Sequence, residues 1–139
     1  GMYPEDPLQA AWVDMLLDEE VDLFTGLACA TYRERFGFGI IDDATNSKIR
    51  NCIAQDILPK HLGFIEKILL SYSEDTRTGW LADSEEPTIV DFAYAPRLRW
   101  LQSGLANIPT TILDAHPLIT AFLDKFYSHP KIAGYYVDE

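Results

Sequence analysis

Apolar residues recur at helical spacing along most of this chain, and no stretch alternates apolar and polar with period two between turn signals. Tyr3-Pro4-Glu5-Asp6-Pro7 is extended or turn-forming, because each proline fixes its own φ and pushes the residue before it out of the helical region. From Leu8 to about Arg35 only Gly26 interrupts. Leu8, Ala11, Met15, Leu16, Leu23, Leu27 and Ala30 there predict one long helix starting at Asp6 or Pro7. Gly37 and Gly39 end it, and Asp42, Asp43 and Asn46 are capping candidates for the next helix. That second long helix is predicted from about Ala44 or Ser47 to Tyr72, with Ile49, Ile53 and Ile57 four apart and Leu62, Ile65 and Leu69 continuing the face. Pro59 lies inside it, so a kink or break is expected there. Ser73 to Glu85 is the most polar linker, with Trp80-Leu81 expected to pin it to the core.

The stretch Glu86 to Trp100 organises the rest. Thr88 followed three residues later by Asp91 has the spacing of a reciprocal N-cap, and Pro87 and Phe92 flank it where a hydrophobic staple would sit. Ala93, Ala95, Leu98 and Leu101 then supply small or apolar faces. A helix apolar over much of its circumference needs neighbours on several sides, so a central bundle helix is predicted, running to about Gly104 and bending at Pro96. Leu105 to Thr111 reads as a loop. Asp114-Ala115-His116-Pro117 reads as a cap with proline at the first helical position, opening a helix through Leu118, Ala121, Phe122 and Phe126. His129-Pro130 repeats that signal for a short last helix through Ile132, Tyr135 and Tyr136. The expected fold is all-α, a bundle of about five helices, two long and three shorter, forming a single domain over 1–139.

Composition narrows the function. The 139 residues are 47% hydrophobic and 24% charged, enough to bury a core without metal or disulfide help. With 22 acidic residues against 11 basic ones the net charge is −11, which disfavours nucleic acid and anionic membrane surfaces as partners. Cys29 and Cys52 are too few for a disulfide scaffold and fall in apolar helical patterns, so each is expected to behave as a small hydrophobe in a reducing cytoplasm. The apolar runs are far too short to span a membrane.

Candidate chemistry is sparse. Asp14, Asp18 and Asp22 stack on one helical stripe, as a hard cation or a cationic substrate would require, but no second aspartate-rich helix offers the other ligands. The stripe therefore reads as a solvated face, and no metal is expected. His61, His116 and His129 show no ligand spacing, and two of them precede prolines at helix starts. No phosphate-binding glycine loop, Gly-x-Ser-x-Gly elbow or Cys-x-x-Cys pair is present, so no catalytic residue is assigned. Tyr32, Phe36 and Phe38 at the end of the first helix could line an apolar pocket, although an aromatic helix end is more commonly core.

Tyr3-Pro4, Asp6-Pro7-Leu8-Gln9-Ala10-Ala11, Val13-Asp14-Met15, Val21-Asp22-Leu23, Pro87-Thr88-Ile89-Val90-Asp91-Phe92 and His129-Pro130-Lys131-Ile132, in that order, resemble the helical C-terminal domain of cytosolic glutathione S-transferases, most closely the pi, alpha and sigma group. The resemblance implies a two-domain parent. Its thioredoxin-like N-terminal domain, absent from this sequence, would supply most of the glutathione site and the catalytic tyrosine, serine or cysteine. This part would bind a small-molecule electrophile and dimerise, with glutathione as co-substrate and no other cofactor. Asp22 falls on an aspartate that reaches across the homodimer interface to the partner's glutathione. Tyr32, ten residues on, matches a tyrosine of the electrophile pocket, with Ala28 one turn earlier and Phe36 beside them. Thr88 and Asp91 match the family's structural N-cap.

The expected function is thus the electrophile-binding and dimerising domain of a transferase joining glutathione to apolar electrophiles, inactive as an isolated chain. The alternative is a stand-alone helical protein-interaction module of the same fold without catalysis. A third possibility, a helical metal enzyme using the Asp14 stripe, requires divalent binding.

Overall fold

A computed structural model describes residues 2–135. The first helix, α1 (Pro7–Thr31), starts where Asp6 accepts a hydrogen bond from the Gln9 N–H at 2.9 Å and Pro7 occupies the first turn. Its buried stripe is Val13, Leu16, Glu20, Leu23, Phe24, Leu27 and Ala30. Leu8, Ala11 and Met15, expected on the buried face, are exposed instead, because the neighbouring helices cover the stripe through Val13 and Leu16. The helix stops at Thr31 rather than near Arg35. Arg33 turns back, donating to the Ile41 carbonyl at 2.9 Å and pairing with Asp43, and the chain reverses through Gly37 at φ 80°.

Asp42 then caps α2 (Asp43–Cys52), accepting from the Thr45 N–H at 2.8 Å; that bond holds its carboxyl below the usual range. A π-helical segment, Ile53–Ile57, joins α2 without a break to α3 (Leu58–Ser71). Pro59 has no N–H for the carbonyl four residues before it, and the helix widens just ahead of the proline, with the Leu58 N–H bonding to the Ile53 carbonyl. The kink or break expected at Pro59 is instead a π-helical widening just before it, and the helix continues through the proline. The extra residue also rotates the face: Leu58 is fully buried while Ile57 is exposed, as is Ile49, against the expectation for both isoleucines. Cys52, expected to behave as a small hydrophobe, is exposed at the end of α2.

The linker is pinned as expected. Trp80, Leu81 and Ala82 are buried, and the Tyr72 hydroxyl donates to the Leu81 carbonyl at 2.9 Å. The Lys125 ammonium lies over the Trp80 ring, 4.2 Å from its centroid, and donates to the Thr78 carbonyl.

The central helix, α4 (Ile89–Leu101), carries the reciprocal capping box. Asp91 supplies most of it, accepting from the Thr88 N–H at 2.7 Å and the Thr88 hydroxyl at 3.0 Å, and with its other oxygen from the Leu81 N–H at 2.9 Å. One side chain thus starts the helix and anchors the linker. Val90, Tyr94, Ala95, Leu98 and Leu101 are fully buried, and the Tyr94 hydroxyl donates to the Leu16 carbonyl of α1 at 2.8 Å. Phe92 is half-exposed and packs edge-on against Phe126. The helix runs unbroken through Pro96 but ends at Leu101, short of Gly104, which adopts φ 74° before a 3-10 turn at Leu105–Asn107.

Helix α5 (Pro117–Ser128) and the short α6 (Pro130–Ala133) each begin at a proline after histidine. The His116 side chain makes no capping bond. Glu66, from the middle of α3, caps α5 in its place, accepting from the Leu118 and Ile119 N–H groups at 3.0 and 3.1 Å. Tyr136, expected in the last helix, lies outside the described residues. Taking α2 and α3 as one interrupted rod, the described residues form the expected all-α bundle, five helices with α4 between α1 and α5.

Candidate functional site

The C-terminal half of α1 faces α4, and the two helices leave a cleft between them in two lobes that share Phe24, Ala28 and Arg97. One lobe, of about 290 Å³, is walled by Leu27, Thr31, Tyr32 and Trp100. The other, of about 250 Å³, is bounded by Glu20, Val21, Thr25 and Phe36. The lining reflects the helix period: Phe24, Ala28 and Tyr32 are four apart on one edge of α1. Tyr32 is 57% exposed because it is the helix's C-cap and its side chain stands at the cleft rim rather than in the core. Phe36 is also half-exposed. The expectation that this aromatic helix end is core therefore gives way to a cleft lining, because α1 stops at Thr31 and the turn after it carries the rings outward.

Ala28, Tyr32 and Phe36 are thus brought to one cleft. Asp22 is exposed on α1 and lines neither lobe, and Phe38 lines a separate apolar cavity of about 190 Å³ with Cys29 and Ile49. A polar cleft of about 570 Å³ opens beyond Tyr32, bordered by Arg33, Arg35 and Arg50. Arg50 is engaged there, donating to the Ala30 carbonyl at the end of α1.

Sequence reasoning missed Glu20 and Arg97. Glu20 is 5% exposed and its carboxylate lies 2.6 Å from the Arg97 guanidinium, which also sits 5.4 Å from the centroid of the Phe24 ring. Burial pushes the Glu20 carboxyl up from its ordinary range, and the charge of Arg97 opposes that shift. The signal was available: Glu20 lies four residues after Leu16 and three before Leu23, on the buried stripe, but it is camouflaged in the acidic run Asp18-Glu19-Glu20.

Three of the remaining candidates have structural partners. Asp14 accepts from the Tyr3 hydroxyl at 2.7 Å, tying the N-terminal segment to α1. His61 contacts Glu19 at 2.6 Å, and His129 packs edge-on against Trp80. Among the described residues no group of three or more His, Cys, Asp or Glu side chains is placed to hold a metal ion.

Residues 33–139 match the family described as "Glutathione S-transferase, C-terminal domain". Among solved structures, one titled "Structure of NaGST-2" aligns over 100% of this chain with 24% identity and a TM-score of 0.61, a likeness of fold. The chain spans 61% of that structure's length. A search of curated proteins gives no match.

Proposed function

The chain belongs to the glutathione S-transferase family through its C-terminal domain, and from that premise we propose that it is the electrophile-binding and dimerising part of an enzyme that joins glutathione to apolar electrophiles. The observation that carries this reading is the two-lobed cleft between α1 and α4, which gathers Ala28, Tyr32 and Phe36 beside Phe24 and Trp100. A largely apolar concavity with a few polar groups at its rim suits a small apolar molecule. The Tyr32 hydroxyl at that rim can donate to negative charge developing on an electrophile under attack by a thiolate.

In this reading Asp22 serves a different ligand. Standing exposed on α1, away from the cleft, it is available to the cationic γ-glutamyl amine of glutathione held by a partner subunit, where a charge-assisted hydrogen bond is stronger than a neutral one. Leu8 and Met15, exposed on the same helix, supply apolar surface for dimerisation. In the family this domain resembles, activation of the thiol belongs to a thioredoxin-like domain, and in this reading it is assigned there. The test is glutathione conjugation to a chromogenic aryl halide. The 139-residue chain alone is expected to leave the rate at the uncatalysed background, and a rate well above it would contradict this division of labour.

A further inference from the structure

Three acidic side chains are buried among the described residues, Glu20, Glu66 and Asp91, and two of them have both oxygens hydrogen-bonded within the fold. Glu66 accepts from two backbone N–H groups at the start of α5, and Asp91 from two N–H groups and a hydroxyl around the start of α4. Glu20 differs. Its Oε1 is sealed 2.6 Å from Arg97 Nη1 without a directed hydrogen bond, its Oε2 is the oxygen left with access and accepts no hydrogen bond, and the partner guanidinium is 55% exposed. A carboxylate placed on an apolar helix stripe suffers a desolvation cost, which one half-solvated cation only partly offsets. Glu20 therefore keeps spare acceptor capacity, and it borders the lobe walled by Phe24, Ala28 and Phe36.

We propose that Glu20, held in place by Arg97, is a specificity-determining residue that accepts a hydrogen bond from the bound electrophile. The cleft then prefers molecules with an apolar body carrying one O–H or N–H over molecules of the same shape without it. This inference rests on the reading of the cleft given under Proposed function. An ionised acceptor makes a stronger hydrogen bond than a neutral one would at the same position. Arg97, common to both lobes, keeps the acceptor charged and sets where it points.

The test is calorimetric titration of the chain with two probes, 2-naphthol and its methyl ether 2-methoxynaphthalene, which differ in one donor. Wild type is expected to bind the naphthol about tenfold tighter, the scale of one hydrogen bond to a charged group. Glu20→Leu should bring the ratio near one and Glu20→Gln, which keeps a neutral acceptor, should leave a few-fold preference. Arg97→Gln, at a half-exposed position that tolerates change, should also shrink the ratio and carries the test if the Glu20 variants fail to fold. Tyr32→Ala should weaken both probes alike. Equal wild-type affinities, or a ratio untouched by the Glu20 and Arg97 variants, would overturn the role of Glu20 while the Tyr32→Ala loss upheld the cleft. If neither probe binds, or neither responds to Tyr32→Ala, the cleft reading and this inference fall together.

Discussion

Replacing Asp91 with alanine is expected to lower the unfolding free energy by about 3 kcal/mol, because it strands buried N–H groups on both Thr88 and Leu81, each costing about 1–3 kcal/mol when left unpaired. The ordinary loss of a helix cap is nearer 1 kcal/mol. The surplus measures the second job of Asp91, holding the 72–88 linker down on the start of α4. For a chain of this size the thermal midpoint should fall by about 10 °C. An unchanged midpoint would refute the assignment. Asp91→Asn should cost less, since one amide oxygen can still accept from either donor.

The same residue carries a pH signature. Burial raises the Asp91 carboxyl above its ordinary pKa, against the pull of its hydrogen bonds. A folded-state pKa raised above the unfolded value contributes stability that is fully present below the unfolded value and is lost as pH rises through the folded one. The penalty for Asp91→Asn, measured by denaturant unfolding, should therefore shrink as pH rises from about 3.9, the usual aspartate value, toward neutrality.

Glu66→Ala is the second large effect expected, about 2–4 kcal/mol, because it leaves the Leu118 and Ile119 N–H groups unpaired at the start of α5, where Ile119 is fully buried. The carboxylate also faces the positive end of the α5 dipole. Glu66→Gln keeps one acceptor oxygen but no charge and should lose about half as much. If α5 were capped by its own preceding residues, Asp114→Ala would be the damaging change and Glu66→Ala nearly silent. Urea unfolding of the three variants distinguishes the cases through their midpoints.

These two carboxylates show where sequence is legible. Thr88 and Asp91 are readable because a capping box is local, its partners three residues apart. Glu66 is not, since its partners lie 52 and 53 residues away and it stands in the sequence as an interruption of an apolar run. The long α1 stripe is legible in its C-terminal half, but its end is set by Arg33 reaching Ile41 and Asp43, contacts no helical period contains. Counting by fours through Ile49, Ile53 and Ile57 fails for a related reason: the π segment inserts an extra residue and hands the core position to Leu58.

At the candidate site, Ala28 and Tyr32 are legible because they are one turn apart on one helix, so α1 alone brings them together. The other wall is not, because Arg97 and Trp100 arrive from α4, and the contacts that set how the two helices meet, Tyr94 on the Leu16 carbonyl and Arg97 on Glu20 among them, join residues more than 70 apart in sequence. Phe36 joins the cleft only because α1 ends early.

The most direct measurement is a calorimetric titration of the chain with an apolar nitroaryl halide in the absence of glutathione. Saturable binding at one site per chain is expected, weakened about tenfold by Tyr32→Ala, the scale of losing one partly buried aromatic ring, and weakened also by Phe36→Ala. Absence of saturable binding, or binding that neither substitution alters, would contradict the assignment of the cleft between α1 and α4 as the electrophile site.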